Sequence, residues 1–292
     1  MNGTPVAGES TDAAATSVSA LLRLGRERLA GRVEAPRLEA EVLLGRALDR
    51  HRAWLRAHPE APTAPGPRRR YAATLDRRAA GEPLAYITGE REFWSLPLLV
   101  TPATLVPRPE TECLVELVLA LLGPVVAEVA DLGTGSGAVA LALATERPAW
   151  GLWASDRDSQ ALAVARDNAR RLGLQRVVFR AGNWYAALPA GRRFHAIVSN
   201  PPYVAEGDPH LPALAGEPRQ ALVAGTDGLD AIRVLVRGAP ARLAPGGLLA
   251  LEHGADQGAA VRRLMHAAGL EAVTTRPDLA GRERVSAGFR PT

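Results

Sequence analysis

The 292-residue chain contains no lysine, and all 35 of its basic residues are arginine. That absence removes Schiff-base chemistry and the lysine of a phosphate-binding P-loop from consideration. Cysteine is nearly absent as well. The single Cys113 excludes an internal disulfide and a cysteine-based metal cluster, and its apolar helical surroundings mark it as a packing residue. No apolar run approaches the ~20 residues that a membrane span needs. The opening M-N-G-T-P-V-A-G-E-S-T-D lacks the basic and apolar regions of a signal peptide, so a cytoplasmic location is expected. An excess of one charge is missing too. Residues 1–90 carry 14 arginines against 11 acidic residues and the remainder 21 against 20, too small an imbalance to imply nucleic acid. His51, His58, His195, His210, His253 and His266 show no metal-ligand spacing, so no metal is expected. Only His253, in E-H-G at a strand end, stands where a site could be.

What is present divides into an α-rich beginning and a longer α/β remainder. The first dozen or so residues are small and polar and are expected to be disordered. From Ser17 to about Asp49, Leu21, Leu22, Leu29, Leu38, Val42 and Leu43 recur at helical spacing, with a break near Gly31 to Pro36. A short helix around Ala53 and another opened by Pro67 follow, the latter carrying Arg68, Arg69, Arg70, Arg77 and Arg78 as a solvated face. Residues 81–112 alternate aromatic and aliphatic positions between glycine and proline breaks, the pattern of a short hairpin joining two domains. A helix is expected from Thr111 to Leu122.

Strands and helices then alternate. Strands are expected at 126–132, 150–156, 177–181, 196–199 and 248–252, and helices at Ala138–Thr145, Ser159–Leu172 and Leu229–Leu243. The βαβα order implies a parallel sheet covered on both faces, and the tail E-A-V-T-T-R with R-V-S-A-G-F-R reads as a closing antiparallel pair.

Between the first of these strands and its helix the chain reads D-L-G-T-G-S-G-A. Gly133, Thr134, Gly135, Ser136 and Gly137 allow a sharp turn and a close approach of ligand to backbone at a helix start. Asp156 ends the next strand, about where an acidic side chain binds ribose hydroxyls. The loop fits G-x-G-x-x-A, a dinucleotide pattern, and equally G-x-G-x-G, the spacing for a nucleotide-like methyl donor. In A-G-N-W-Y, Asn183 and Trp184 are candidates to meet an adenine ring, by hydrogen bonding and by packing respectively, although Trp184 also suits the core beneath the loop.

The fourth strand ends in V-S-N-P-P-Y. Two prolines fix two φ angles and remove two donors, so Asn200 and the carbonyls beside it are held stiffly at the sheet's carboxyl edge. A planar amide nitrogen is a poor nucleophile, because its lone pair is delocalised into the carbonyl. Asn200 Oδ1 and the Pro201 carbonyl can accept its two hydrogens and aim the nitrogen at a methyl group. Pro202 adds rigidity, and Tyr203 can lie against the flat target. The same acceptors suit the exocyclic amine of adenine.

These motifs resemble the HemK/PrmC family, methyltransferases of a glutamine side-chain amide in class I peptide chain release factors. The resemblance extends from about residue 17 and rests on G-E-P-L-A-Y-I-T-G, E-F-W, L-V-P-R-P-E-T-E, D-L-G-T-G-S-G-A, S-N-P-P-Y-V, D-P-H-L, L-E-H-G-A-D-Q-G and G-R-E-R-V. It implies a helical substrate-recognition domain over 1–90, a β-hairpin linker over 91–106, and over 107–292 a seven-stranded, Rossmann-like class I methyltransferase domain using S-adenosyl-L-methionine. Cofactor contacts carry over to Gly133 through Gly137, Asp156, Trp184 and Asn200, and catalytic and substrate contacts to Asn200, Pro201, Pro202 and Tyr203. The implied partner is a release factor bearing Gly-Gly-Gln, and the protein is expected to be a monomer. Other readings are methylation of glutamine in another translation protein and of adenine N6. The chain departs from the family pattern in having Asn183 where an acidic residue is common, and in a shortened loop where Gly216 precedes Glu217 and Pro218. Arg108 and Glu110 in the proline-rich block either pair structurally or border the active site, and the structural pairing is the favoured reading.

Overall fold

The computed structural model describes residues 17–123 and 125–292, so the terminal segment expected to be disordered lies outside the described residues. The chain divides into two compact units, one ending at Thr88 and the other beginning at Gly89.

The first unit is all helical: α1 (Val18–Leu29), α2 (Pro36–Leu48), α3 (Arg52–Ala57), α4 (Pro65–Ala79) and the short α5 (Leu84–Thr88). Ser17 caps α1, its hydroxyl accepting from Ala20 N, and α2 and α4 each start at a proline whose missing donor costs nothing there. Leu29, Leu43, Leu44, Leu55, Tyr71 and Leu75 form the core. The Tyr71 hydroxyl donates to Leu21 O and occupies the space where a Cβ on Gly25 would lie, so this position in α1 requires glycine. Part of the arginine face of α4 is engaged within the unit: Arg70 donates to Ala47 O, Arg77 pairs with Glu82, and Arg78 pairs with Glu39.

α5 departs from the strand-like reading of residues 81–88. The Pro83 carbonyl accepts from Tyr86 N and Ile87 N, and Thr88 Oγ1 bonds back to Leu84 O, which closes a helical turn. The hairpin itself is confined to β1 (Glu90–Phe93) and β2 (Leu96–Leu99) and belongs to the second unit. Trp94 and Ser95 make its tight turn with φ of 53° and 58°. Phe93 and Leu98 bury into the second unit's core.

That unit is a seven-stranded sheet ordered β5-β4-β3-β6-β7-β9-β8, in which β3 (Glu128–Leu132), β4 (Gly151–Asp156), β5 (Val178–Ala181), β6 (Phe194–Ser199) and β7 (Leu243–Glu252) pair in parallel. β8 (Glu271–Pro277) and β9 (Glu283–Phe289) close one edge antiparallel. Side chains alternate between two cores, as the pleat dictates. Val129, Leu152, Ala196, Val198, Leu248 and Ala250 pack under α6 (Glu112–Leu122) and α7 (Ala138–Glu146). Ala130, Leu132, Ile197, Leu249 and Leu251 face α9 (Asp230–Arg242) and α10 (Gly258–Ala267). α8 (Ser159–Arg171) follows β4. β7 starts five residues before the strand expected from the sequence, because its pairing with β6 shifts register between Phe194 and Ala196 and so accommodates Pro245, Gly246 and Gly247. α10, unassigned in the sequence reading, presents Val261 and Met265 to the core.

Candidate active site

The carboxyl ends of β3, β4 and β6 meet at a cavity of about 410 Å³, a size suited to a small organic ligand. Gly133, Gly135 and Gly137 turn the chain out of β3 with φ of 74°, 55° and 87°, values that favour glycine. Gly133 N and Thr134 N both donate to Ser155 O, at 2.8 and 2.9 Å, pinning the loop to the end of β4. A Cβ on Gly133 would lie 3.0 Å from the Trp184 ring, so the loop and the indole are in direct apposition. Beneath the loop, Asp131 accepts from the Thr134 hydroxyl at 2.6 Å and from Ala140 N at 3.2 Å. Burial pushes its carboxyl up to about 7, against those two hydrogen bonds.

The two oxygens of Asp156 accept from Gly135 N and Asp158 N, both at 2.9 Å, which fixes its carboxylate beside the cavity. Each oxygen retains acceptor capacity for a ligand hydroxyl. Asp158 caps α8 through Gln160 N and accepts from Gln220 Nε2 at 2.7 Å, which ties the segment after β6 to the same wall. Besides the buried Asp131, the lining carries Asp156, Asp158 and Asp230, an environment that favours a cationic or hydroxyl-rich ligand.

On the β6 side, Asn200 Nδ2 donates to Thr111 Oγ1 at 3.1 Å, while Asn200 Oδ1 is buried with no hydrogen-bond partner. A buried orphan acceptor at the edge of a cavity is unfavourable unless a ligand satisfies it. Of the residues singled out in the sequence, Gly133, Thr134, Gly135, Ser136, Asp156, Asn183, Trp184, Asn200 and Pro202 line the cavity. Gly137, Pro201 and Tyr203 do not. The site of a Gly137 Cβ faces Leu141 and Ala165, and Pro201 is buried. The Tyr203 hydroxyl donates to Glu252 Oε1 at 3.2 Å.

Several residues the sequence reading passed over prove central. Thr111, Glu252 and Asp131 are buried polar groups at the site. Asn168, wholly buried in α8, donates to Leu99 O and Ser136 O and accepts from Leu99 N, bridging the hairpin and the glycine loop. The expected pairing of Arg108 with Glu110 does not form. Arg108 pairs with Glu217, whose other oxygen accepts from Val106 N at 3.0 Å, and Glu110 is exposed. A buried carboxylate that satisfies both a guanidinium and a backbone donor offers more than an exposed neighbour in the same turn, and it anchors the shortened loop. His253 is buried away from the cavity, between Gly254 O and Ser286 Oγ at 2.8 Å each, and burial holds its pKa below the usual imidazole value. Cys113 is buried too, and its thiol is pushed up by burial, in keeping with a packing role.

Comparison with known proteins places the chain in a family. The family model for the PrmC N-terminal domain matches residues 20–89, and that for the methyltransferase small domain matches residues 111–216. A release factor glutamine methyltransferase of Xylella fastidiosa (strain Temecula1) is 53% identical over 275 residues, covering 93% of this chain and 98% of that protein. One from Coxiella burnetii is 48% identical over 258 residues, covering 88% and 93%. The T. thermophilus 16S rRNA N2 G1207 methyltransferase, solved with AdoMet and guanosine, superposes with a TM-score of 0.52 at 21% identity, covering 69% of this chain and 49% of that one, and so shares the fold. The chain belongs to the family of release factor glutamine methyltransferases.

Proposed function

We propose that the protein transfers a methyl group from S-adenosyl-L-methionine to the side-chain amide nitrogen (N5) of the glutamine in the Gly-Gly-Gln motif of class I peptide chain release factors. The observation that carries this reading is the buried, unpartnered Asn200 Oδ1 at the edge of the glycine-loop cavity. It is an acceptor waiting for a donor, and an amide N–H is such a donor.

The residues fit the cofactor. Gly133 through Gly137 leave backbone room for a nucleoside, Asp156 offers acceptors to ribose hydroxyls, and Asn183 and Trp184 flank the place of a base. The carboxylates of the wall suit a sulfonium and an ammonium group. When bound, the cofactor supplies an electrophilic methyl group. Asn200 Oδ1, at the edge of the cavity, accepts one hydrogen of the substrate amide, and the Pro201 carbonyl, outside the lining of the empty cavity, accepts the other once the glutamine is seated, which turns the nitrogen lone pair out of conjugation and toward that methyl. The prolines keep both acceptors from reorienting, so alignment is built in before substrate arrives. Transfer of that methyl would leave the substrate nitrogen cationic and the cofactor sulfur neutral, and the nitrogen's proton could then leave to water, so no general base is called for. Tyr203, held through its hydroxyl by Glu252, keeps the N-P-P-Y turn in place. The partner is the release factor itself, and we take the protein to act as a monomer in the cytoplasm.

The test is transfer of tritiated methyl from S-adenosyl-L-methionine to purified release factor, with a Gln→Ala factor at the Gly-Gly-Gln tip and Asn200→Ala enzyme alongside. Label on the wild-type factor that disappears in both variants is the expected result. Label that appears instead on a ribosomal protein or on DNA would overturn the release-factor reading.

A further inference from the structure

Pro201 and Pro202 make a stiff piece of chain, but neither has an N–H through which it could be tied down. Such a piece is aimed by whatever holds its ends. Upstream it continues β6, where the Ser199 hydroxyl donates to Leu132 O. Downstream the anchoring falls to Tyr203, whose hydroxyl donates to Glu252 Oε1 at 3.2 Å and whose carbonyl accepts from Gln257 Nε2 at 2.9 Å. Gln257 is 9% exposed and stands at the N-cap position of α10, yet its side chain makes no capping bond. Its Nε2 also donates to Asp227 O at 3.3 Å, and its Oε1 accepts from Gly254 N at 2.8 Å. Two carbonyls at one end and an N–H at the other leave this amide a single orientation. One buried side chain thus joins the N-P-P-Y turn, the loop before α9 and the turn after β7. At Gly228, with φ of 72°, a Cβ would overlap the Tyr203 carbonyl oxygen and lie 2.8 Å from Gln257 Nε2, so the loop closes directly on this contact.

We propose that Gln257 is a positioning residue for methyl transfer, a brace on the Tyr203 carbonyl that aims Asn200 Oδ1 and the Pro201 carbonyl at the substrate amide. The inference rests on the amide-methylation reading above and deepens it. Glu252 and Gln257 belong to one short stretch, E-H-G-A-D-Q, and they grip Tyr203 at its two ends, hydroxyl and carbonyl. The hydroxyl bond needs no charge on Glu252, because a carboxyl oxygen accepts in either protonation state. Because the proline pair is stiff, a shift at Tyr203 is carried back to the Pro201 carbonyl and to Asn200. Neither Gln257 nor Tyr203 lines the cavity, so the brace acts on alignment and leaves cofactor binding alone.

The deciding variant is Gln257→Met, which keeps the length of the side chain and loses both donors. It is expected to lower kcat by about 10²-fold, the cost of about an ångström of misplacement, with affinity for S-adenosyl-L-methionine within about twofold of wild type. Wild-type kcat in this variant, or cofactor affinity falling in step with kcat, would overturn the brace. A second readout needs neither release factor nor turnover: the ¹⁵N-labelled side-chain amides of Gln257 and Asn200. In wild-type protein the Nε2 hydrogens of Gln257 are expected to exchange slowly, and in Gln257→Met the Asn200 Nδ2 resonance is expected to move. Rapid exchange at Gln257 in wild type refutes the brace even if Gln257→Met fails to fold, and an unmoved Asn200 resonance in folded Gln257→Met refutes the positioning role. Should wild-type enzyme not label the release factor, the substrate reading falls while these resonances still decide the brace.

Discussion

Asp156 accepts from Gly135 N at 2.9 Å, so the acidic end of β4 and the middle of the glycine loop form one hydrogen-bonded unit 21 residues apart in sequence. Two features that the sequence presents as separate signals are therefore mutually positioned, and a change in one is felt by the other.

From this unit comes the first prediction. Asp156→Asn keeps an acceptor for the loop but loses the charge that strengthens bonds from ribose hydroxyls. A charge-assisted hydrogen bond contributes roughly 1.5–3 kcal/mol, so affinity for S-adenosyl-L-methionine should weaken by about 10- to 100-fold. Calorimetric titration measures this directly. Unchanged affinity would take Asp156 out of the cofactor site.

Gly133→Ala addresses the other half of the unit. Its φ of 74° costs an L-residue about 1–2 kcal/mol, and the added Cβ meets the Trp184 ring at 3.0 Å. Trp184 itself stands at a φ of 46°, in the left-handed region. Melting a few degrees lower, together with at least tenfold weaker cofactor binding, is the expected outcome. A variant that melts lower but binds normally would place Trp184 behind the loop for packing alone.

The local patterns of the sequence were sufficient for the α/β order, for the glycine loop and for the strand-ending asparagine, because each depends on neighbours within a few residues. The relationships that complete the site are long-range. Thr111 meets Asn200 across 89 positions and Arg108 meets Glu217 across 109. In sequence Thr111 only opens an expected helix and Arg108 has a nearer acidic neighbour in Glu110, so neither long-range partner shows in a local reading. β7 was misjudged at its start for a related reason, since its bulge exists only through pairing with β6.

Asn168 exemplifies a long-range role that can be measured as stability. On α8 it reads as one polar residue among arginines, yet it satisfies both Leu99 backbone groups, at 2.7 and 3.0 Å, and Ser136 O at 2.9 Å. Asn168→Leu removes the partner of three backbone groups, the buried Ser136 O and the part-buried Leu99 N and O, at up to about 1–3 kcal/mol each. A loss of roughly 3 kcal/mol or more is expected by urea unfolding, with weaker cofactor binding because the glycine loop loses an anchor. A loss below about 1 kcal/mol would mean that water replaces the amide.

The buried carboxyls give the protein a definite dependence of stability on pH. Burial raises Glu252 from its ordinary 4.5 to about 7, opposed by Thr111, Arg284 and Tyr203, and raises Asp131 from 3.8 to about 7. Between the ordinary and the raised values the folded chain keeps these protons and the unfolded chain has lost them. Stability must therefore fall as pH rises through that window, the reverse of the behaviour of a salt-bridged carboxylate. For Glu252 the span corresponds to about 3 kcal/mol at 1.36 kcal/mol per pH unit. Glu252→Gln, which cannot ionise, should abolish its share of the fall while leaving that of Asp131. Urea unfolding of both proteins at about pH 5 and about pH 8 checks this: the wild type should lose more stability across the interval than Glu252→Gln. Parallel losses would mean that Glu252 ionises in the folded protein near its ordinary value, with water or a neighbouring cation reaching its unpartnered Oε2.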